Sequence, residues 1–198
     1  MGQPTDHSDQ GQDVSHQSLT HNSASCLEYA HAKINLGLKV LSPRQDGFHD
    51  LLSIFQAVSL HDTIAVTLAA DISLTCSDAS LPMAADNLAW RAAELYRRET
   101  STCGCHIELT KVIPAGAGLG GGSADAAAVL RALDRLAQNP LGLPRLAELG
   151  AEIGSDVPFA VHGGTMLVEG RGERLTPQAW TTAPDWWYLL VCPSAPVA

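Results

Sequence analysis

PAGAGLGGGSADAA, residues 114–127, places five glycines within the seven residues from Gly116 to Gly122 and then runs into an alanine-rich stretch. Ordered glycine costs backbone entropy, so such a cluster needs a structural reason. Upstream, CHIELTKVI (105–113) reads as a strand. Downstream, Ala126, Val129, Leu130 and Leu133 recur at helical spacing, which predicts a helix opening at Ser123. Strand, glycines and helix together make an anion site. Glycines let backbone N–H groups approach the ligand, and the helix start adds unpaired donors and a positive dipole end.

Two common motifs match this loop letter by letter, and both fail on their surroundings. Gly116-x-Gly118-x-x-Gly121 spells a dinucleotide fingerprint, which also needs a second strand ending in an acid about 20 residues on. Asp134 has nearly that distance but lies inside the helical pattern, and another helix comes next. Gly116 to Ser123 fits the Walker A spacing, except that Gly122 stands where lysine is required.

The chain has 198 residues, of which 45% are hydrophobic and 17% charged, the composition of an ordinary packed domain. Net charge is −9 with only 12 Lys plus Arg, which argues against a nucleic-acid groove or a surface for anionic membranes. A small anion can still be held by local donors against that field. Five cysteines, an odd count, suggest reduced thiols and a cytoplasmic setting. Cys103-Gly-Cys105 has no partner pair at zinc spacing, so no metal ligands are assigned. Residues 1–25 are polar with no Lys or Arg, unlike a secretory or transit leader, and read as a disordered tail. No apolar run approaches the ~20 residues of a membrane span.

Elsewhere the pattern alternates. In AKINLGLKV, Ile34, Leu36, Leu38 and Val40 form one expected buried face, and Lys33 and Asn35 leave the strand together on the other. PRQDGFHD (43–50) is turn chemistry, and LLSIFQAVSL and TIAVTL are further strand candidates. Asp86 is placed to cap a helix over 87–99. Pro144 suits the first turn of another helix running to Ile153, which GSDVPF interrupts. Strands are expected around 165–168 and 186–192. Strands, helix, strand, helices, strands indicate an α+β fold rather than regular βαβ alternation.

The loop closely resembles the phosphate loop of the GHMP kinases, P-x-G-x-G-L-G-x-S-S-A. Two further stretches, AHAKINLGLKVLSPRQDGFHDLLSIFQAVSLHD and IGSDVPFAVHGGTMLVEGRGE, resemble segments of the branch that phosphorylates 4-diphosphocytidyl-2-C-methyl-D-erythritol. Three motifs in order, from Cys26 to Ala198, make the resemblance specific. It implies the GHMP-kinase N-terminal domain fold (ribosomal protein S5 domain 2-like) over 26–178. It also implies a second domain, of which 179–198 would supply only the first strand, so that the chain looks truncated.

The implied activity is transfer of phosphate from ATP, with Mg²⁺, to the substrate's 2-hydroxyl in non-mevalonate isoprenoid synthesis. A catalytically silent nucleotide-binding fragment and another GHMP small-molecule kinase are the alternatives. Asp156 then matches the catalytic aspartate, although its turn alone would equally suit an Asx-turn or helix cap. Lys33, which alone would read as a solvated face residue, becomes its cationic partner. Pro114, Gly116, Gly118, Leu119, Gly120, Gly121, Gly122 and Ser123 match the ATP cradle; Ser123 also suits a helix N-cap. Asn87 falls in a segment resembling the adenine-side contacts. Asn35, Phe48 and His49 match the acceptor pocket, with Phe48–His49 on the cytosine ring of the cytidine diphosphate-linked substrate. Two departures are Phe48 in place of the usual tyrosine, and Ala30-His31-Ala32 in place of A-P-A.

Overall fold

The computed structural model describes residues 24–43, 49–138, 140–178 and 186–192. In these residues the chain runs through β1 (Ser25–Pro43), β2 (His49–Ala69), β3 (Ser73–Cys76), α1 (Leu88–Thr100), β4 (Gly104–Thr110), α2 (Gly121–Leu136), α3 (Leu143–Ile153), α4 (Val157–His162), β5 (Thr165–Gly170) and β6 (Arg174–Pro177). The two strand candidates after the turn are one continuous strand, β2. One edge of β2 pairs with β1; the other pairs with β5 along Leu51–Gln56 and with β4 along Thr63–Ala69. β3 joins β4 in parallel through the α1 crossover, and β6 closes the far edge against β5. The α+β reading holds.

Helices cover the sheet with a core of Ile64 and Val66 from β2, Ile107 and Leu109 from β4, and the buried sides of all four helices. In α2 the buried residues run without a break from Ala124 to Leu130, so its first turns are enclosed all round rather than on one face. Alanines at 124, 126, 127 and 128 make this possible, because small side chains let the helix sit close to strand backbone. Along β1, Glu28, Ala30 and Ala32 are buried while Leu27, Tyr29 and His31 are exposed, the alternation of a half-buried strand.

Several expectations need correction. α1 is capped by Asn87, not Asp86: the Asn87 side chain accepts from Ala89 N at 2.9 Å. α2 opens at Gly121, with Gly120 as N-cap and no side-chain cap, so Ser123 sits inside the first turn. Glycine can supply the left-handed N-cap conformation that serine would adopt only with strain. GSDVPF does not merely interrupt a helix; it opens the short helix α4, with Pro158 in the first turn where its missing N–H costs nothing. β3, at four residues, is too short for its alternation to announce a strand. Leu38 and Val40 are 54% and 60% exposed, so the face expected to be buried is open at that end of β1. The strand expected at 186–192 does not form, since those residues take no regular secondary structure. Among the described residues no helix is long and apolar enough to cross a membrane.

Candidate active site

The glycine loop lines a cleft of about 480 Å³ whose wall includes Lys33, Leu81, Leu88, Lys111, Pro114, the run from Gly116 to Ser123, and Asp156. Gly116, Gly118 and Gly120 take φ of 71°, 72° and 72°, while Ala117 and Leu119 between them keep negative φ. An alternation of this kind can bring successive N–H groups to one side, as an anion-binding nest requires. A non-glycine residue at a left-handed position costs roughly 1–2 kcal/mol, which explains the spacing of these glycines. Gly120 is needed twice over: a Cβ there would meet Lys33 Cγ at 3.1 Å and lie 3.8 Å from Asp156 Oδ2.

The loop is docked onto β1 at the lysine itself. Lys33 N donates to Leu119 O at 2.9 Å, where the β1–β2 register is broken between His31 and Lys33. Buried Leu119 packs with Ala32 and Ile113 beneath it. The Lys33 side chain is only 11% exposed and holds three partners: Asp156 Oδ2 at 3.6 Å, Asn35 Oδ1 at 3.3 Å and the Phe55 ring at 4.6 Å from its centroid. Lys33 is therefore no solvated face residue; its charge is held by a carboxylate, an amide and a π face.

Asp156 is the N-cap residue of α4 by position, yet its side chain makes no capping hydrogen bond. Its carboxylate is left for Lys33 and the cleft, which separates it from an ordinary helix cap. Two close approaches hold its turn. A Cβ on Gly150 would meet Val157 Cγ1 at 2.7 Å, so α3 and α4 touch only because Gly150 has none. Gly172, at φ 122° in the β5–β6 turn, lies so near Ser155 that a Cβ would be 2.9 Å from its carbonyl oxygen.

Beneath the loop lies a buried ionic cluster that sequence reasoning missed. Lys111 Nζ donates to Asp62 Oδ2 at 2.5 Å and to Asp125 Oδ2 at 2.7 Å. Asp62 Oδ1 accepts from Val112 N at 2.5 Å and Ile113 N at 2.8 Å, fixing the backbone that enters Pro114. Burial pushes the Asp125 carboxyl up to about 7, against the pull of Lys111. Burial also works against the Lys111 ammonium, but the two aspartates outweigh it and hold its pKa above the usual lysine value. The signal was available: an aspartate set among buried alanines needs a partner, and only three lysines exist in the chain.

Of the predicted site residues, Lys33, Asn35, Asp156 and the loop converge. Asn87 does not line the cleft; besides capping α1 it donates through Nδ2 to Pro82 O at 2.8 Å, although its neighbour Leu88 is in the wall. His49 is an exposed residue at the start of β2, and Phe48 lies outside the described residues.

The sequence model of the GHMP kinases N terminal domain matches residues 87–164, which include the loop, α2 and Asp156. This is a GHMP kinase N-terminal domain. The chain is 44% identical over 174 residues to 4-diphosphocytidyl-2-C-methyl-D-erythritol kinase of Kineococcus radiotolerans, covering 84% of this chain and 54% of that protein. It is 46% identical over 167 residues to the protein of the same name from Shouchella clausii, covering 83% and 56%. Among solved structures it resembles a crystal structure of 4-(cytidine 5'-diphospho)-2C-methyl-D-erythritol kinase with a TM-score of 0.67 at 42% identity, over 78% of this chain and 55% of that one. The chain that carries this GHMP kinase domain thus spans little more than half the length of these relatives.

Proposed function

We propose that the chain carries the ATP-binding part of a kinase that phosphorylates the 2-hydroxyl of 4-diphosphocytidyl-2-C-methyl-D-erythritol, in the cytoplasm, as a step of non-mevalonate isoprenoid synthesis. The observation that carries this reading is the Lys33–Asp156 pair, 3.6 Å apart on the wall that the glycine loop also lines. In this reading residues 26–178 form the ATP-binding domain and 179–198 begin a second one.

Phosphoryl transfer needs a held phosphate, charge neutralisation and an acceptor for the hydroxyl proton. Backbone N–H groups from Gly118 to Ser123 hold the phosphates at the uncapped start of α2. Asp156 takes the proton from the substrate hydroxyl, and Lys33 stabilises the alkoxide as it forms. Asn35, bonded to Lys33, orients the acceptor, with Phe48 and His49 assigned to the cytosine ring. Both lysines in the cleft wall are already paired with carboxylates, Lys33 with one and Lys111 with two. The donor set therefore fits a nucleotide that brings its own Mg²⁺, which supplies charge neutralisation on the phosphates. The Ser123 hydroxyl is the side chain that would help to hold it.

Incubating the chain with Mg-ATP and a panel of the cytidine diphosphate-linked alcohol, mevalonate and homoserine tests the reading; phosphate transfer to the first alone is expected. Because the chain spans only part of its relatives, a second reading is nucleotide binding without turnover. Titration calorimetry separates the two: ATP binding with no product under any acceptor favours the second, and no binding overturns both.

A further inference from the structure

Arg131 lies on α2 and is not among the residues of the cleft wall, yet its guanidinium reaches the elements that carry the two reacting side chains. Its side chain is 16% exposed. Nε donates to Glu28 Oε2 at 3.0 Å and Nη2 to Tyr29 O at 3.0 Å, both on β1 just before Lys33. Nη1 donates to Ala160 O at 2.7 Å on α4, and Ala160 N in turn donates to Asp156 O at 3.0 Å. One planar fork on the helix that opens at the phosphate loop therefore ties the strand of the cation to the helix of the carboxylate. Lysine could not reproduce this, since a single ammonium cannot span three acceptors in the plane of a guanidinium.

We propose that Arg131 is a positioning residue that sets the spacing between Lys33 and Asp156, an inference that rests on the kinase reading above for its catalytic consequence. Two of its three bonds go to backbone carbonyls, so it fixes where β1 and α4 run and not merely where a side chain points. Arg135 provides the internal comparison. It lies 2.7 Å from Glu28 Oε1, an ion pair with the same carboxylate, but it is 65% exposed and grips neither carbonyl. A general loss of Glu28 pairing therefore affects both arginines, whereas a loss of spacing belongs to Arg131 alone.

The experiment compares Arg131→Met, Arg131→Lys and Arg135→Met with the wild-type chain, in two arms. Hydrogen exchange needs no turnover: in Arg131→Met the amides of α4 and of residues 29–33 are expected to exchange at least about tenfold faster, while those of α1 and β4 stay near wild type. Arg135→Met is expected to leave α4 unchanged. In the kinetic arm, Arg131→Met lowers kcat by about 10- to 100-fold through misplacement of the pair, with KM for ATP within about threefold. Arg131→Lys retains an intermediate kcat. Uniform acceleration of exchange, or equal effects of Arg131→Met and Arg135→Met, overturns the proposal. So does an unchanged kcat in an active enzyme. A wild-type chain that transfers no phosphate, with the local exchange pattern present in Arg131→Met, removes the kinase reading and leaves the spacing role supported. If Arg131→Met does not fold, Arg131→Lys carries the test: faster local exchange in α4 supports the role, and wild-type exchange overturns it.

Discussion

Replacing Asp125 by asparagine tests the buried cluster under the loop, and the sign of the effect comes from its charges. Asp125 is 3% exposed, its Oδ1 has no hydrogen-bond partner among the described residues, and burial raises its pKa to about 7. An unfolded aspartate titrates near 3.9, so between about pH 4 and 7 the folded chain holds a proton that the unfolded chain has released. Stability from this group is therefore complete below the unfolded pKa and is lost as pH rises through the folded one. The limiting slope for one proton is about −1.4 kcal/mol per pH unit, which amounts to ~2 kcal/mol between pH 5 and 7. The Asp125→Asn chain lacks this titration, and groups that do not touch Asp125 cancel in the difference.

Urea unfolding followed by tryptophan fluorescence, from pH 5 to 8.5, measures it, because a change of ~2 kcal/mol exceeds the extrapolation error. Wild-type stability minus that of Asp125→Asn is expected to fall by ~2 kcal/mol from pH 5 to 7 and to level off above about pH 8. A difference that stays flat across this range would mean that Asp125 is ionised throughout and that its ion pair with Lys111 outweighs burial. That result overturns the prediction.

Asp156→Asn is expected to lower kcat by about 10²- to 10⁴-fold while ATP affinity by calorimetry stays within about threefold, as loss of a proton acceptor requires. Gly118→Ala has open space for its methyl group and meets only the cost of the left-handed backbone, whereas Gly120→Ala also meets Lys33. Nucleotide affinity by calorimetry should therefore fall more for the second. Asn87→Ala removes the α1 cap and should lower unfolding free energy by about 1 kcal/mol in urea.

Local chemistry was legible where one stretch of sequence contains its own cause. The glycine loop, α2, and the pairing of Lys33 with Asn35 on one strand side all come from spacing, and the structure reproduces them. Caps were less legible, because Asp86 and Asn87 are adjacent and equally suited; only the entry angle of the chain selects Asn87. The face of Leu38 and Val40 misled because alternation says that a strand has two sides, not that an element covers one of them. Long-range partners were not legible from spacing; the sequence signalled at most that Asp125 needs a partner, not which one. Asp62, Lys111 and Asp125 come from β2, the residue just after β4, and α2, and Arg131 meets two residues of β1 about a hundred positions away. No periodicity encodes such meetings; they arise when β2 pairs both ways and brings the two ends of the domain onto one sheet.

The loop lacks the lysine of a Walker motif, so in the kinase reading its cations must come from elsewhere in the fold. A cation placed inside the loop could move with the phosphates it holds. Here the nearest cations belong to other elements, and each is tied by a carboxylate: Lys33 to Asp156, Lys111 to Asp62 and Asp125. In the kinase reading the loop's own contribution is therefore backbone N–H groups and the Ser123 hydroxyl, with no cation, on a backbone shaped by three glycines of positive φ. Such a cradle depends on its supports, since backbone donors cannot track a displaced ligand as a long side chain can. Those supports are specific: the Lys33 N–H on Leu119 O from one side, and Asp62 gripping the N–H groups of Val112 and Ile113 from the other. Of the two, Asp62 is the one whose bonds lie away from the reacting pair. Asp62→Asn should thus weaken ATP binding, because an amide has one acceptor oxygen where the carboxylate uses two, one for Lys111 and one for the backbone. Calorimetry gives the test: affinity reduced by about tenfold or more with the chain still folded by circular dichroism is expected, the loss of charged hydrogen bonds being worth ~1.5–3 kcal/mol each. Wild-type affinity in a folded Asp62→Asn chain would mean that the loop holds its shape without this grip.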